Sequence, residues 1–254
     1  MRIEYRKGDG GDNGWSSLNE EKGNTVAMTS SLVITNELLG YSTMTYQDFT
    51  PLATMASEWQ SVIVPADSPI QTIADLMNQL KNDPDANPIG IEPQFGNDDQ
   101  IAFAQAARSE GIAASQLRFF RYDDAPSLAS ALQSSEIAAA SLSSSQSAKM
   151  LTKGEVRILA ISSEERLDSM PNVPTWKEQG IDLVFPHWRG VMGPKEMSEE
   201  EKRQWSVLLS KVSASSVWKD EMKKNQWTPF YRNSIDTIKL LESDTRKYRH
   251  FMNE

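Results

Sequence analysis

The sequence predicts an α/β protein whose sheets are rich in parallel strands. Short apolar runs with many β-branched residues, such as residues 155–161, alternate with amphipathic segments, such as residues 72–80. In the second of these, Ile73, Leu76 and Leu80 fall on one helical face. Strands separated by helices at this spacing pair in parallel and are covered by helices on both faces. The 254 residues suffice for one large domain or two ordinary ones.

The strands are predicted from short β-rich runs that end at turn signals. Residues 59–64, for example, are closed by Pro65 and followed by a turn at residues 67–69. The first strand precedes a Gly-rich turn at residues 6–14. The same reasoning predicts strands at residues 1–5, 25–31, 59–64, 89–91, 117–122, 136–142, 155–161 and 183–185.

The helices are predicted from apolar periodicity together with capping residues. Asn97 or Asp98 caps a long helix that carries Ile101 and Phe103. Thr175 caps a short helix that ends at a glycine suited to the position after a helix. The other predicted helices are residues 72–80, 126–132, 143–151, 199–213, 217–224 and 235–252.

Composition excludes several classes of function. The net charge of −9 argues against non-specific nucleic-acid binding, which needs a basic surface. The absence of cysteine excludes disulfides, thiolate catalysis and cysteine-based metal sites. No apolar run is long enough to span a membrane, and no nucleophile–base pair, metal cluster or phosphate loop is present. The sequence therefore predicts no enzyme, no cofactor and no metal.

Three segments of the chain resemble one family. Residues 153–194 read KGEVRILAISSEERLDSMPNVPTWKEQGIDLVFPHWRGVMGP, residues 62–69 read VIVPADSP, and residues 219–228 read KDEMKKNQWT. A strand followed by SS, ER, a Val-Pro-Thr turn, EQG, WRG and Pro is typical of the solute-binding proteins of tripartite tricarboxylate transporters. The chain resembles that family over essentially its whole length.

The resemblance implies a two-lobe periplasmic-binding-protein-like (Venus flytrap) fold with the ligand in the cleft. Lobe one would comprise residues 1–66 plus 190–254, and lobe two residues 67–189. Residues 1–14 are similar to the family's second strand and its loop. We therefore expect the first lobe to be N-terminally incomplete, with the family's signal peptide and first βα unit lying upstream.

The chemistry that the family requires is carboxylate capture by loops at strand ends and by helix N-termini. The resemblance points to the glycine turn, the hydroxyls after two strands, the start of the long helix, a tyrosine turn and a crossover arginine. These candidate ligand-binding residues are Gly10, Gly11, Asn13, Ser30, Ser31, Gly96, Asn97, Asp99, Tyr122, Ser143 and Arg189.

Each candidate also has a purely structural interpretation. Gly10 and Gly11 fit a tight turn, Ser30 and Ser31 fit a helix cap, and Asp99 fits a helix N-terminus. Arg189 suits a hinge salt bridge as well as a ligand carboxylate. Residues outside the candidate set have structural interpretations too. We expect His187 at the surface or in a hinge, and Asp123 and Asp124 in an exposed turn.

Acidic residues mark the departure from the family pattern. Asp123 and Asp124 stand where the family has small residues, and Glu92 stands in a loop that is Gly/Ser-rich in the family. If these side chains point inward, they repel a trianionic ligand.

The resemblance implies an extracytoplasmic receptor for a small carboxylate, citrate-like or dicarboxylate, that works with membrane permease subunits. The alternative is a regulatory or sensor protein, or a non-functional truncated member, that binds a partner such as a sensor kinase ectodomain.

Overall fold

The structure is a computed structural model that describes residues 2–6, 8, 11–21 and 24–252. The chain forms two compact units. Unit one comprises Met1–Ser57 and Trp188–Glu254, and unit two comprises Glu58–His187. The chain passes from one unit to the other within strand β2 and at the beginning of strand β7.

Helices and strands alternate along most of the chain. The strands are β1 (Ala27–Thr29), β2 (Phe49–Pro65), β3 (Ile89–Ile91), β4 (Phe119–Arg121), β5 (Ala139–Ser143), β6 (Val156–Ile161), β7 (Pro186–Pro194) and β8 (Thr228–Arg232). The helices are α1 (Asp12–Glu20), α2 (Leu32–Leu38), α3 (Ile73–Asn82), α4 (Asp98–Ser109), α5 (Ala125–Gln133), α6 (Ser144–Thr152), α7 (Glu199–Ala214), α8 (Ser216–Lys224) and α9 (Ser234–Met252). Short 3-10 helices lie at Tyr46–Asp48, Ala114–Gln116 and Lys177–Gln179.

Unit two is built on a five-stranded sheet in the order β6-β2-β5-β3-β4. Strand β3 pairs in parallel with β4 and β5, whereas β2 runs antiparallel to β5 and β6. One core cluster of this unit packs α5 and α6 on the sheet through Leu128, Leu132, Leu142, Met150 and Ile158. The fully buried Trp176 lies in the same unit beside the ring of Phe103 on α4.

Unit one contains strands β1, β7, β2 and β8, in that order. Strand β1 is antiparallel to β7, and β8 is antiparallel to β2. A core cluster joins the sheet to α7 through Leu52, Met55, Val191, Met197 and Leu209. Helix α9 is held to the unit by the indole N–H of buried Trp188, which donates to Asp244 Oδ2 at 3.0 Å.

The α/β class predicted from the sequence is confirmed, and the strand pairing is mixed. Parallel pairing occurs among β3, β4 and β5, where a helix follows each strand. The long strand β2 pairs antiparallel in both units because its two halves contribute to both sheets. Parallel pairing requires a crossover connection, usually a helix, between the two paired strands. Strand β2 passes directly from one unit into the other and has no such connection.

The predicted caps are confirmed. Asn97 caps α4 by accepting from the Gln100 backbone N–H at 3.0 Å. The Thr175 hydroxyl accepts from the Glu178 backbone N–H at 3.1 Å, and Gly180 has φ of +87° after the short helix. These positions were predictable because capping depends on residues that are close in sequence.

Several predictions at the start of the chain are wrong. Residues 2–6 are neither helix nor strand, although a strand was predicted at residues 1–5; Met1 lies outside the described residues. Within the described chain, no strand lies beside them to satisfy their backbone groups. Helix α1 begins at Asp12, within the turn predicted at residues 6–14, and the rest of it was not predicted; its burial of Trp15 and Leu18 stabilises a segment of weak helix formers.

Two further elements escaped prediction. Helix α2 has a β-branched sequence, LVITNEL, that reads as a continuation of the preceding strand, and it is stabilised by burial of Val33 and Ile34. Strand β8 contains Pro229, which favours a non-strand interpretation. It forms because it pairs on one side with β2.

Candidate functional site

The candidate site lies at one edge of the unit-two sheet. Parallel strands β3, β4 and β5 end at this edge, so the loops that follow them lie together. Strand β2 enters unit two at the same edge, because it is antiparallel to β5 and pairs Gln60 with Ser143. Polar side chains from the start of β2 and from the ends of β3 and β5 therefore converge.

A chain of hydrogen bonds connects these strand ends. The Ser145 hydroxyl donates to Glu58 Oε2 at 2.6 Å and lies 3.1 Å from the Ser143 hydroxyl. Ser143 donates to Gln146 Oε1 at 3.0 Å, and Gln146 Nε2 donates to Glu92 Oε1. The network thus runs from β2 through the start of α6 to the loop after β3.

Glu92 is the unusual member of this network. Its side chain is buried, with 6% of the residue exposed, and its Oε2 atom has no hydrogen-bond partner among the described residues. Burial raises the pKa of the Glu92 carboxyl; the Gln146 amide opposes this effect and the Asp124 carboxylate adds to it. Glu92 is therefore a buried acid whose surroundings in the described chain disfavour its charge.

The start of α4 lies beside Glu92. The Gly96 backbone N–H, at a residue with φ of +75°, donates to Gln100 Oε1 at 2.6 Å. The Asn97 amide donates to the Glu92 carbonyl oxygen and, at 3.3 Å, to Asp99 Oδ2. The structure thus brings the predicted residues Gly96, Asn97 and Asp99 together, and the network links them to Ser143.

A buried histidine completes this side of the site. His187 Nδ1 lies 3.7 Å from Asp99 Oδ1, and only 2% of His187 is exposed. Of the two positions expected for His187, the surface is therefore wrong, whereas the residue does lie where the chain passes from one unit to the other. The segment before it is held against the sheet, because the Phe185 backbone N–H donates to the Ser162 carbonyl at 2.9 Å.

The start of α6 differs from the starts of its neighbours. Helices α4 and α5 are capped by Asn97 and Asp124. In the described structure α6 has no side-chain cap, and its first turn holds no acidic residue. A helix N-terminus carries a partial positive charge. This end of α6, flanked by the hydroxyls of Ser143 and Ser145, has the chemistry to accept a carboxylate.

Tyr122 lies outside the network, although it was predicted as a site residue. Its hydroxyl donates to Glu136 Oε1 at 3.0 Å. Burial, together with that carboxylate, raises the pKa of Tyr122 to about 12. The neighbouring Asp123 is exposed and pairs with Arg121 at 2.7 Å, and Asp124 caps α5, so the prediction of an exposed turn is confirmed.

The glycine and asparagine candidates of unit one fall at the start of α1. Gly10 lies outside the described residues. Gly11 has φ of +105° and precedes the first residue of α1, and Asn13 is exposed on that helix. The ring of Trp15 lies 3.3 Å from where a Cβ on Gly11 would stand. Gly11 thus allows the chain to turn tightly over Trp15.

The serine and arginine candidates of unit one have local structural partners. The Ser30 hydroxyl accepts from the Leu32 backbone N–H at 3.3 Å, whereas Ser31, the N-cap residue of α2, forms no side-chain cap bond. Ser31 is fully buried, and its carbonyl accepts from Ile34 at 2.8 Å. Arg189, on β7, donates to the Trp188 carbonyl at 3.3 Å. Their roles in ligand binding stay predictions.

Four members of the network were absent from the predicted set: Glu58, Glu92, Ser145 and Gln146. Glu58 precedes the predicted strand 59–64, and Ser145 and Gln146 follow directly after Ser143. Their closeness in sequence to the ends of predicted strands could have identified them. Residues just outside a strand end, and in the first turn of the next helix, lie at the same edge of the sheet. Their side-chain partners depend on strand order, which the local sequence does not reveal.

Two features are absent from the described residues. None of their helices is long and apolar enough to cross a membrane. Within the same residues, no group of three or more acidic or histidine side chains is arranged to hold a metal ion.

Comparison with known proteins identifies relatives over the whole chain. The sequence model of the tripartite tricarboxylate transporter family receptors matches residues 3–254. A relative from Cupriavidus necator, described as a UPF0065 protein in the gbd 5′ region, is 23% identical over 201 residues. That alignment covers 79% of this chain and 60% of the relative, so the chain spans less than two thirds of the relative's length.

Solved structures show the same fold. The R. palustris protein Rpa4515 with adipate has a TM-score of 0.84 at 18% identity, covering 98% of this chain and 84% of that chain. MatC (Rpa3494) from Rhodopseudomonas palustris with bound malate has a TM-score of 0.80 at 14% identity, covering 96% and 85%. These likenesses confirm the α/β fold of periplasmic binding proteins that the sequence predicted.

Proposed function

Since the chain belongs to the family of tripartite tricarboxylate transporter receptors, whose model matches residues 3–254, we propose that it is an extracytoplasmic receptor for a small carboxylate. The family match carries this proposal. Proteins of this family are solute receptors and not enzymes. We further propose that the two compact units correspond to the lobes predicted at residues 1–66 plus 190–254 and 67–189, with the boundaries shifted to residues 57/58 and 187/188.

The unit-two edge supports carboxylate binding. The uncapped start of α6 offers a partial positive charge, and the hydroxyls of Ser143 and Ser145, which donate to Gln146 and Glu58 in this structure, would turn to donate to a ligand carboxylate. Hydroxyls and backbone N–H groups bind carboxylates without requiring a basic side chain. This arrangement suits a protein whose net charge is −9.

The ligand is proposed to carry two carboxylates rather than three. The solved structures similar in fold contain adipate and malate, both dicarboxylates. In this chain Glu58, Glu92 and Asp99 are buried at the same edge. Each like charge near a ligand carboxylate weakens binding, so a trianionic ligand such as citrate is disfavoured.

The proposed partners are the membrane permease subunits of a tripartite transporter, which would take the solute from this receptor. The alternative, a regulatory or sensor protein, was suggested by the acidic residues in the loops. Asp123 and Asp124 supply little for it, because one pairs with Arg121 and the other caps α5. We therefore favour solute delivery over recognition of a sensor kinase.

The proposal is tested by calorimetric titration with a panel of mono-, di- and tricarboxylates, alongside thermal unfolding. A ligand at one hundred times its Kd is expected to stabilise the folded protein by about 2.7 kcal/mol. Ser143→Ala should weaken binding by roughly 2- to 12-fold, the effect of about one hydrogen bond.

The matched control is Ser130→Ala, which removes an exposed serine hydroxyl of α5 that donates to the Pro126 carbonyl within its own helix. It should bind like the wild type. A folded protein that binds no member of the panel would overturn the proposed function.

A further inference from the structure

Unit one contains a cavity that the proposed function does not use. It has a volume of about 300 Å³ and lies between α2, α9 and the short 3-10 helix Tyr46–Asp48. None of the residues predicted to bind ligand lines it. Pockets that hold small molecules begin at about this volume, so the cavity suits a small ligand.

The apolar part of this cavity is held in place by its own neighbours. Val33 and Ile34 of α2 line it and are buried, with 1% and 2% exposed. The half-buried Tyr46 adds an aromatic ring. The short helix that carries this ring is fixed by its cap, because the Thr45 backbone N–H donates to Asp48 Oδ2 at 2.9 Å. The cavity therefore offers a preformed apolar surface.

Helix α9 supplies a positive charge that the described chain does not use. Two lysines of this helix are paired, Lys239 with Asp236 at 3.0 Å and Lys247 with Asp244 at 3.9 Å. Arg246 lines the cavity and forms no ion pair or hydrogen bond with another described residue. A guanidinium can bind a carboxylate through two parallel hydrogen bonds. Arg246 is therefore available to a carboxylate ligand.

Two carboxylates in the lining limit the charge of a ligand. Glu37 lies 3.9 Å from Arg249 and offsets the charge of that residue. Glu242 precedes Arg246 by one turn of α9. A ligand with a second carboxylate would meet one of these acids at short range, and like charges repel. The lining thus favours a single negative charge beside Arg246.

We propose that this cavity binds a small monocarboxylate with an apolar body, such as an aromatic acid. The carboxylate pairs with Arg246, and the hydrocarbon part packs on Val33, Ile34 and the ring of Tyr46. The site is separate from the proposed solute site, whose hydrogen-bond network belongs to unit two. The receptor would then have a second ligand, which stabilises the folded protein independently of the solute.

The experiment titrates phenylacetate into the full chain and follows binding by NMR. The reference compounds are acetate, which lacks the ring, and phenylacetamide, which lacks the charge. Phenylacetate is expected to bind at least about tenfold more tightly than either, because burial of the ring and a charge-assisted hydrogen bond each contribute about that factor. Backbone amide shifts should change at residues 33–37 and 242–249, which line the cavity.

Three variants test the role of charge. Arg246→Gln should weaken phenylacetate binding at least about tenfold, whereas Glu242→Gln removes a like charge and should strengthen it. The matched control is Lys239→Gln, which removes a positive charge of the same helix that pairs with Asp236 outside the cavity. It should bind like the wild type. The reference compounds and the amide shifts test the proposal even if Arg246→Gln does not fold.

Four results would overturn the inference. The first three are no binding of phenylacetate, equally tight binding of phenylacetamide, and unchanged affinity in Arg246→Gln. They would leave the proposed function to its own test with the carboxylate panel. The fourth is displacement of phenylacetate by a member of that panel, with amide shifts at residues 143–146. Phenylacetate would then occupy the edge of the unit-two sheet, and the carboxylate receptor would be supported.

Discussion

A single buried amide, that of Gln60, joins three parts of unit two. Its Nε2 atom donates to the Ser141 hydroxyl at 2.8 Å, and its Oε1 atom accepts from the Trp176 indole at 2.9 Å. Its backbone N–H donates to the Ser162 hydroxyl at 2.9 Å. The residue is fully buried, so water cannot replace these partners.

Replacing Gln60 by leucine should therefore destabilise the protein. Gln60→Leu leaves the indole N–H of Trp176 and the oxygen of Ser141 without these partners in a dry interior. We expect a loss of about 2–4 kcal/mol in the free energy of unfolding, measured by urea denaturation. Gln133→Leu, at an exposed position at the end of α5, is the control and should change stability little. Equal stability of the two variants would contradict the prediction.

At the scale of elements, strand β7 depends on the absence of a side chain at Gly190. This residue pairs with Thr29 of β1. A Cβ added to it would lie 3.0 Å from the Ala53 carbonyl oxygen and 3.2 Å from Thr29 Cγ2. The crowding comes from backbone as well as side chain, so the sheet of unit one would have to shift.

Gly190→Ala should consequently destabilise the protein by about 1–3 kcal/mol, the typical effect of overpacking. Gly14→Ala offers the contrast, because Gly14 lies in α1 and the atom nearest to its added Cβ is 3.8 Å away. That variant should be neutral or more stable by up to about 1 kcal/mol. Both are read from urea unfolding midpoints; a Gly190→Ala midpoint at or above the wild-type value would refute the packing argument.

At the scale of the whole molecule, the net charge of −9 affects how an anionic ligand arrives. A dianion such as succinate is repelled at long range, and salt screens this repulsion over about 10 Å at 0.1 M. The association rate of succinate should rise between about 0.01 M and about 0.2 M salt, measured by stopped-flow tryptophan fluorescence. The rate for glycine, which has no net charge, should change less. A succinate rate that falls with added salt would indicate a locally positive entrance instead.

Local sequence patterns account for much of this fold. The caps at Asn97 and Thr175, and the alternation of strands and helices through unit two, follow from residues close together in the chain. The misses at residues 2–6, α1, α2 and β8 share one cause. In each of them, burial or the presence or absence of a partner strand outweighs local propensity.

The features of the candidate site are likewise of two kinds, those set by local sequence and those set by the tertiary structure. The sequence alone determined that Gly96, Asn97 and Asp99 lie at the beginning of a helix and that Ser143 lies at the junction of a strand and a helix, because backbone conformation and capping are local properties. Only the tertiary structure decided that Gln146 joins Ser143 to Glu92, that Tyr122 turns to Glu136, and that His187 is buried beside Asp99. Those contacts depend on which strands are neighbours and in which register they pair, and that is a property of the whole folded sheet.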